Sequence, residues 1–237
     1  MKIAVVIPAL DESDSIPATL DSIFGGTGDP EVELDVVVVD GGSSDATADL
    51  SRAHGARVVT SAPGRARQLQ AGLDATAGDV VVFIHADTAM PQGWADAVVR
   101  ALVQPRFVGG AFEFAFDRAA LAEVSAERLR ELERVERWAQ RRARFLRLVY
   151  GDQAIFARRS ALVEIGGIPQ AEWMEDVDLV SALRRLGGFA RLPLAVATSP
   201  RRYIAAGVRA TAWQHAIAIT GWILGAPRLR LKRLLGR

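Results

Sequence analysis

Acidic side chains follow three apolar, strand-like runs at the points where those runs end. Asp11 and Glu12 follow the first run, Asp40 follows a run of four valines, and His85-Ala86-Asp87 follows a third run. Carboxylate oxygens are preferred ligands of Mg²⁺ and Mn²⁺, and a carboxylate also accepts hydrogen bonds from the N–H groups of a nucleobase. Because ligands of doubly wound sheets bind off the carboxyl ends of the strands, we expect these groups to line one cleft.

The second of these sites has the sequence Asp40-Gly-Gly-Ser-Ser-Asp45. Its glycines allow a ligand to approach the backbone closely, and its hydroxyls and second acid stand where a helix begins. The alternative is a plain β-turn in which Asp45 caps that helix, since Ser and Asp are ordinary N-cap residues. The segment alone leaves both interpretations open.

An acidic pair, Glu175-Asp176, begins a predicted helix in the second half of the chain. An aspartate there could remove a proton from an attacking hydroxyl group, and a general base of this kind contributes about 10²- to 10⁴-fold to a rate. Adjacent acids in a first helical turn are also favourable with the helix dipole. The pair by itself therefore fits either a catalytic or a structural role.

The elements that must position these groups are short β-branched runs that alternate with amphipathic segments, which predicts an α/β fold. Several runs are nearly continuous Val and Ile, as in strands buried on both faces of a mostly parallel sheet. The predicted strands of the first half are residues 2–7, 34–39, 56–60 and 79–84. In the second half we predict an antiparallel strand at 108–116, a helix at 121–148, a strand at 153–158, a helix at 175–186 and a strand at 192–197.

The composition restricts the classes of function. The 237 residues, half of them hydrophobic, suffice for one large domain. Without cysteine, any metal ion must be held by Asp, Glu or His. Basic residues are not clustered beside aromatic platforms, which argues against nucleic acid as a partner. The first residues do not form the apolar stretch of a secretory signal, so we expect a cytoplasmic protein.

Seven motifs of the chain follow one another as the motifs of family-2 glycosyltransferases do, so the chain resembles that family over nearly its whole length. The motifs are residues 5–12, 39–47, 64–72, 82–88, 150–156, 165–169 and 174–179. The His-Ala-Asp-Thr and Tyr-Gly-Asp-Gln forms are most similar to a bacterial subgroup found beside radical-SAM and selenium-related genes. The resemblance implies the GT-A fold, a doubly wound, mostly parallel sheet flanked by helices with a smaller antiparallel element on the acceptor side. It also implies sugar transfer from a nucleoside diphosphate, usually UDP, to an acceptor.

The resemblance assigns roles to positions that match the family motifs. The residues it implies for donor binding are Pro8, Ala9, Glu12, Asp40, Gly41, Ser43, Arg65, Asp87 and Arg202. Among these, Asp40 would contact the base and Asp87 would hold a divalent metal, Mn²⁺ or Mg²⁺. The resemblance places Asp152 and Gln153 on the acceptor side, and it places the catalytic pair at Glu175 and Asp176. Asp176 as general base implies inversion at the anomeric carbon.

One departure from the family concerns the metal motif, which is usually Asp-x-Asp. Here the first position is His85, so one carboxylate is replaced by an imidazole. His85 is either a second metal ligand beside Asp87 or a histidine that packs and hydrogen-bonds at the strand end. The sequence leaves these two roles open.

The last part of the chain differs in charge from the rest. Asp178 is the last acidic residue, and eleven Lys and Arg residues follow it. Residues 205–226 are apolar but carry polar and charged side chains, which argues against a membrane-spanning helix. Residues 228–235 alternate cations with leucines, as in helices that lie on an anionic membrane surface. The alternative is that this helix packs on the body of the protein or on a second copy in a homodimer.

We therefore expect a catalytic domain at residues 1–204 and a helical tail at 205–237. Within the domain, residues 1–116 would bind the nucleotide sugar and residues 117–204 would carry the acceptor site and the base. One alternative is a nucleotide-sugar-binding module without turnover. A sugar nucleotidyltransferase is less consistent with the sequence, because its glycine-rich, Arg-containing loop would stand where the chain has Ala9-Leu-Asp-Glu12. No G-x-G-x-x-G follows a predicted strand, which argues against a dinucleotide oxidoreductase.

Overall fold

The computed structural model describes residues 1–28, 31–122, 124–146 and 148–235. The strands are β1 Lys2–Ala9, β2 Glu33–Asp40, β3 Arg57–Thr60, β4 Val80–Phe83, β5 Thr88–Ala89, β6 Phe107–Phe116, β7 Ile155–Arg158 and β8 Gly188–Thr198. The helices are α1 Ile16–Gly25, α2 Thr47–Ala53, α3 Arg65–Ala75, α4 Trp94–Val103, α5 Ala126–Arg141, α6 Arg159–Glu164, α7 Glu175–Leu186, α8 Arg201–Ala206, α9 Val208–Ile223 and α10 Arg228–Leu234. The strands form one sheet in the order β3-β2-β1-β4-β7-β6-β8-β5.

The first half of the sheet is parallel, as predicted. Strand β1 pairs with both β2 and β4 in parallel register, and β2 pairs with β3 in the same way. Successive residues of β1 belong to different cores, with Val5 and Ile7 on one face of the sheet and Ala4 and Val6 on the other. Because both faces are covered, the strands are apolar almost throughout, and this confirms the α/β fold predicted from their composition.

The second half of the sheet combines antiparallel and parallel pairs. Strand β7 pairs antiparallel with β4 and with β6, which confirms an antiparallel element next to the parallel one. The predicted antiparallel strand at 108–116 is only half right, because β6 also pairs in parallel with β8 along most of its length. That pairing joins segments about 80 residues apart, so local alternation could not reveal its direction.

The predicted helix at 121–148 is wrong in its extent. Helix α5 begins at Ala126 because the Ser125 hydroxyl accepts a hydrogen bond from the Arg128 N–H, as an N-cap residue does. At the other end, the backbone changes to a wider π turn over Arg142–Leu146. The predicted helix at 175–186 is confirmed as α7.

The two later strands also differ from the prediction. The strand predicted at 153–158 begins at Ile155, because Gly151–Gln153 forms a 3₁₀ turn and Ala154 has a positive φ of 46° that interrupts extended backbone. The strand predicted at 192–197 extends over Gly188–Thr198, because its pairing with β6 starts at Gly188. Because Ile155 at the start of β7 pairs with Phe83 at the end of β4, the 150–154 turn lies beside the carboxyl end of β4.

The last two helices pack on the body through α7. Ala218 and Ile219 of α9 and Leu235 after α10 share an apolar cluster with Val177 of α7. The Asp178 carboxylate accepts hydrogen bonds from the Trp222 indole N–H at 3.0 Å and the Arg228 guanidinium at 2.7 Å. The last acid of the chain thus anchors the basic segment that follows it.

None of the described helices combines the length and the apolar character that crossing a bilayer requires. This agrees with the expectation for residues 205–226. The division into a domain at 1–204 and a tail at 205–237 stays a prediction, as do the two halves at 1–116 and 117–204.

Candidate active site

A cavity of about 410 Å³ opens off the carboxyl ends of β4, β6 and β8. It is lined by most of the charged residues that the sequence singled out, from both halves of the chain. The predicted site residues that line it are Arg65, His85, Asp87, Asp152, Glu175, Asp176 and Arg202. The strand ends and the amino end of α7 therefore converge on one cavity, as the doubly wound arrangement predicts.

The tightest convergence in this cavity is around Gly151. A Cβ atom at this position would lie 2.8 Å from His85 Nε2, 3.0 Å from an Arg65 guanidinium nitrogen and 3.3 Å from Asp176 Oδ2. Only a residue without a side chain leaves space for these three groups. A histidine from the end of β4, an arginine from α3 and an acid from α7 thus meet within a few ångströms of one backbone atom.

Asp176 is oriented by two backbone N–H groups. Its Oδ2 accepts from Gly151 N–H at 2.6 Å, and its Oδ1 accepts from Val177 N–H at 2.8 Å in the first turn of α7. The exposed N–H groups at a helix N-terminus favour negative charge. Asp176 is therefore held in one orientation at the edge of the cavity.

Glu175 differs from its neighbour in being buried and paired. Its carboxylate lies 3.1 Å from Arg65 Nε, and its side chain is only 6% exposed. Burial raises the pKa of Glu175, while the Arg65 charge opposes that rise. This arrangement makes Glu175 the group that positions Arg65.

Two carboxylates and one guanidinium meet where β1 and β4 end. Arg201 forms an ion pair with Glu12, and its guanidinium also lies 3.5 Å from Asp87 Oδ2. Burial raises the pKa of both Glu12 and Asp87 despite this neighbour. The Glu12 Oε2 atom is buried and has no hydrogen-bond partner. The negative charge here is incompletely compensated, so the site favours a further cation.

His85 is suited to act as a neutral ligand. Burial and the nearby Arg65 and Arg202 charges lower the pKa of His85 well below its usual value, so the imidazole is uncharged. Its Nε2 atom is buried without a partner, and the residue lines the cavity. Within the described residues, no three Asp, Glu or His side chains come together as a metal site by themselves. Asp87 and His85 fit a divalent ion whose other ligands come from a bound diphosphate.

The predicted nucleoside-binding residues lie beside this cavity and do not line it. Asp40 ends β2 and is 8% exposed, and its carboxylate accepts from the Ser43 N–H at 3.1 Å. Gly41 N–H donates to the Ala9 carbonyl at 2.9 Å, which joins the ends of β1 and β2. Pro8 lies under the cavity in a small space shared with Arg65, His85 and Asp176. Since β1 separates β2 from β4, Asp40 and the His85 segment are about 10 Å apart across the sheet.

The alternative interpretation of the 40–45 segment, in which Asp45 caps the next helix, is wrong in that detail, because the N-cap of α2 is Ala46 and no side chain caps it. Asp45 accepts from the Thr47 N–H at 2.9 Å and from the Ser13 N–H at 3.0 Å, so it stabilises the loops that precede α1 and α2. Thr47 hydrogen bonding lowers the pKa of Asp45. Asp45 therefore has a structural role, while Asp40 stands at the end of β2.

The two predicted acceptor-side residues differ in position. Asp152 lines the cavity, its Oδ1 is buried without a partner, and burial raises its pKa to about 6. Gln153 does not line the cavity and is 1% exposed. Its amide donates to the Phe112 carbonyl at 3.0 Å and accepts from Arg142 at 3.4 Å. The structure thus corrects the assignment of Gln153, whose side chain supports the turn that carries Asp152.

Some residues of the site were not among the sequence candidates. Arg201, which contacts both Glu12 and Asp87, is one of them, although its neighbour Arg202 was a candidate. Phe114 and His215 also line the cavity, together with Tyr150 and Tyr203. Phe114 and His215 carried no sequence signal, because they come from a strand and a helix that meet only in the fold.

Backbone strain is concentrated around this site. Among the described residues, the non-glycine positions with positive φ are Asp11, Ala154 and Met174. Each precedes or follows a predicted site residue, namely Glu12, Gln153 and Glu175. Such conformations cost of order 1–3 kcal/mol and persist where the surrounding structure enforces them, which occurs most often at functional sites.

Comparison with known proteins identifies relatives of this chain. Curated relatives include glucosyl-3-phosphoglycerate synthase of Mycolicibacterium paratuberculosis, 40% identical over 98 residues, which are 38% of this chain and 29% of that protein. An uncharacterized glycosyltransferase of Mycobacterium tuberculosis is 37% identical over 92 residues, 38% of this chain and 39% of that protein. The chain thus aligns with less than half the length of these relatives.

Solved structures show the same fold over a larger part of the chain. The crystal structure of M. tuberculosis glucosyl-3-phosphoglycerate synthase has a TM-score of 0.65 at 28% identity and covers 95% of this chain and 81% of that one. Its complex with Mn²⁺, UDP-glucose and phosphoglyceric acid has a TM-score of 0.63 at 27% identity, covering 95% and 80%. This confirms the GT-A fold. Residues 4–166, more than half of the chain, match glycosyl transferase family 2, and the chain belongs to that family.

Proposed function

We propose that the chain transfers a sugar from a nucleoside diphosphate sugar, UDP-linked, to an acceptor hydroxyl group with inversion at the anomeric carbon. The observation that carries the proposal is the convergence of His85, Arg65 and Asp176 around Gly151 in a cavity that also contains Asp87. Among the similar glucosyl-3-phosphoglycerate synthase structures, one contains UDP with Mg²⁺ and another contains UDP-glucose with Mn²⁺. Family membership supports the same chemistry.

The donor fits between two strand ends. The base would lie at the end of β2, where the Asp40 carboxylate accepts from a base N–H. The diphosphate would lie about 10 Å away at the end of β4. Arg65 and Arg202 line the cavity there and supply guanidinium donors for phosphate oxygens.

A divalent ion would be held by Asp87, with His85 as the second protein ligand. When bound, it neutralises the charge that develops on the leaving diphosphate. Arg201 already stands at 3.5 Å from Asp87 and pairs with Glu12, so these carboxylates face cationic groups in the protein itself.

Asp176 is the residue we propose as the general base. Its carboxylate is fixed by the N–H groups of Gly151 and Val177. It would accept the proton of the acceptor hydroxyl while that oxygen bonds to the anomeric carbon and the bond to the diphosphate oxygen breaks. Attack opposite the leaving group inverts the configuration. Glu175 would hold Arg65 toward the diphosphate.

We also propose that the C-terminal segment contacts anionic membranes at their inner face. Ile223, Leu224, Leu229 and Leu234 are 48–78% exposed. Arg230 and Arg233 of α10 are exposed beside them. Exposed leucines together with cations are typical of helices that lie on anionic lipid, where each cation contributes about 1 kcal/mol.

The donor and metal assignments predict ligand-dependent stability. With Mn²⁺, UDP-glucose at 100 times its Kd should raise the free energy of unfolding by about 2.7 kcal/mol. GDP-glucose should give much less, and EDTA or Asp87→Asn should remove most of the gain. The measurement is thermal unfolding, with Asp49→Asn on the exposed surface of α2 as the matched control. Equal stabilisation of the Asp87→Asn variant would contradict the metal assignment.

The role of Asp176 predicts a separation of binding from turnover. Asp176→Asn should lower the rate of donor cleavage by about 10²- to 10⁴-fold and leave stabilisation by UDP-glucose and Mn²⁺ unchanged. Asp49→Asn on the exposed surface of α2 should retain turnover, because Asp49 pairs with Arg52 and does not line the cavity. With water as acceptor, NMR should show β-glucose released first from the α-linked donor. α-Glucose as first product would refute inversion, and donor binding without any turnover in the native chain would favour a binding module.

The buried carboxyl of Asp152 predicts a pH-dependent stability. Arg142 and Arg65 favour its ionised form and Asp176 and Asp87 oppose it, while burial dominates and raises the pKa to about 6. The folded chain therefore holds a proton between about pH 4 and pH 6 that the unfolded chain has lost, so its free energy of unfolding falls as the pH rises through that range. Asp152→Asn should remove this pH dependence. Relative to the native chain, its free energy of unfolding should therefore rise by on the order of 2 kcal/mol between pH 4 and pH 8. Urea unfolding at a series of pH values measures this difference. A difference in free energy of unfolding between the two proteins that stays the same at all pH values would contradict the shift.

The membrane proposal predicts co-sedimentation with vesicles of phosphatidylglycerol and phosphatidylcholine, and much less with phosphatidylcholine alone. Replacing Leu224 and Leu234 together by Gln should reduce binding, because these side chains are 78% and 74% exposed. The matched control replaces Val103 and Val163, exposed to 68% and 71% elsewhere on the surface. Unchanged co-sedimentation of the leucine variant would rule out this contact.

A further inference from the structure

A second cavity of about 480 Å³ lies between α5 and α9, next to the candidate active site. We call it the α5–α9 cavity. Its volume is within the range of about 300–1,000 Å³ that binds small organic ligands. The residues that line it are Phe114, Arg134, Val135, Trp138, Ala139, Arg142, Tyr150, Asp152, Tyr203, Arg209, Ala212, Trp213, His215 and Ala216.

The two cavities adjoin each other. Five residues line both of them: Phe114, Tyr150, Asp152, Tyr203 and His215. Asp176 lines the active-site cavity only, and the tryptophans of α5 and α9 line the α5–α9 cavity only. A molecule with one end at Asp176 that passes between the shared side chains reaches the space between the helices.

The residues shared by the two cavities carry polar groups. Asp152 lines both cavities, and its Oδ1 atom is buried without a hydrogen-bond partner. The Tyr203 hydroxyl and His215 Nδ1 bond to each other at 3.1 Å. Hydroxyl, carboxyl and imidazole groups donate and accept hydrogen bonds, so this junction suits the hydroxylated end of a ligand.

Beyond this junction the α5–α9 cavity is mainly apolar. Val135, Trp138 and Ala139 line it from α5, and Ala212 and Ala216 line it from α9. Trp138 and the Trp213 side chain, also in the lining, are 45% and 69% exposed. Apolar surface of this kind gains free energy when a ligand removes it from water.

Two of the arginines in the lining are bound by the protein. Arg142 lies 3.4 Å over the Tyr150 ring and donates to the Leu148 carbonyl at 3.1 Å. Arg209 pairs with Glu131 at 3.2 Å. These two cations already have partners within the protein, while the surface between them is apolar.

We propose that the acceptor is amphipathic, with a hydroxyl-bearing end at Tyr150, Asp152 and Asp176 and an apolar body in the α5–α9 cavity. This inference rests on the proposed glycosyl transfer. In the reaction the acceptor oxygen bonds to the anomeric carbon, its proton goes to Asp176, and the anomeric carbon–oxygen bond to the diphosphate breaks with its electron pair on the diphosphate. The acceptor class therefore differs from phosphoglyceric acid, which the similar crystal structures contain.

The test uses two glucosides that share a hydroxylated head and differ in their apolar tail. Methyl and n-octyl β-D-glucoside, below the micelle-forming concentration, are titrated into the full chain with UDP and Mn²⁺ while tryptophan fluorescence is followed. The octyl compound should bind at least about tenfold more tightly, because its methylenes leave water. Phosphoglyceric acid should not displace it.

Matched variants locate the binding. Ala216→Phe fills the α5–α9 cavity and should raise the Kd for octyl glucoside at least about tenfold, while UDP binding stays unchanged. Ala210→Phe adds the same ring at an exposed position of α9 and should change neither Kd. Equal affinity for both glucosides, equal behaviour of the two variants, or displacement by phosphoglyceric acid would overturn the inference. UDP binding to the native chain is a separate readout. Its absence would refute the proposed function, whereas the comparison of the two glucosides tests the inference about the acceptor.

Discussion

Incomplete compensation of buried negative charge is the constraint on which the site depends. Burial raises the pKa of Glu12, Asp87, Asp152 and Glu175, although arginines stand nearby. Carboxylates in such surroundings are stable as anions only beside a cation. The protein supplies part of that compensation through Arg65 and Arg201. A metal ion bound together with a diphosphate would supply the rest, so donor binding and charge compensation become the same event.

The sheet order explains why these charges meet. Strand β4 lies between β1 and β7, so its carboxyl end is next to the end of one parallel neighbour and the start of one antiparallel neighbour. The turn before β7 then stands directly beside the His85 segment, and its Gly151 accommodates the groups that converge there. If β7 ran parallel to β4, the turn before β7 would lie at the amino end of β4, away from His85. The antiparallel β7 thus brings the 150–154 turn to the carboxyl end of β4, where His85 and Asp176 meet around Gly151.

The C-terminal helices complete the site rather than extending from it. Helix α9 contributes His215 and Ala218 to the active-site cavity, and it forms one wall of the α5–α9 cavity. Its position depends on the apolar cluster with α7 and on the Asp178 hydrogen bonds. The same helix α7 carries Asp176. The proposed base and the proposed acceptor wall are therefore fixed to each other by one set of contacts.

Local sequence patterns were sufficient for the parallel half of the fold and for most charged residues of the site. Period and β-branching reveal which segments are buried on both faces, and acids at strand ends reveal the ligand side, because both are properties of neighbouring residues. The direction of the β6–β8 pairing, the burial of Gln153 and the pairing of Arg201 with Glu12, 189 residues away, were decided only by tertiary packing. The α5–α9 cavity is likewise a feature that only tertiary packing decided. A helix pattern shows that a face is apolar, whereas what covers that face, and what space remains beside it, depends on contacts between segments far apart in the chain.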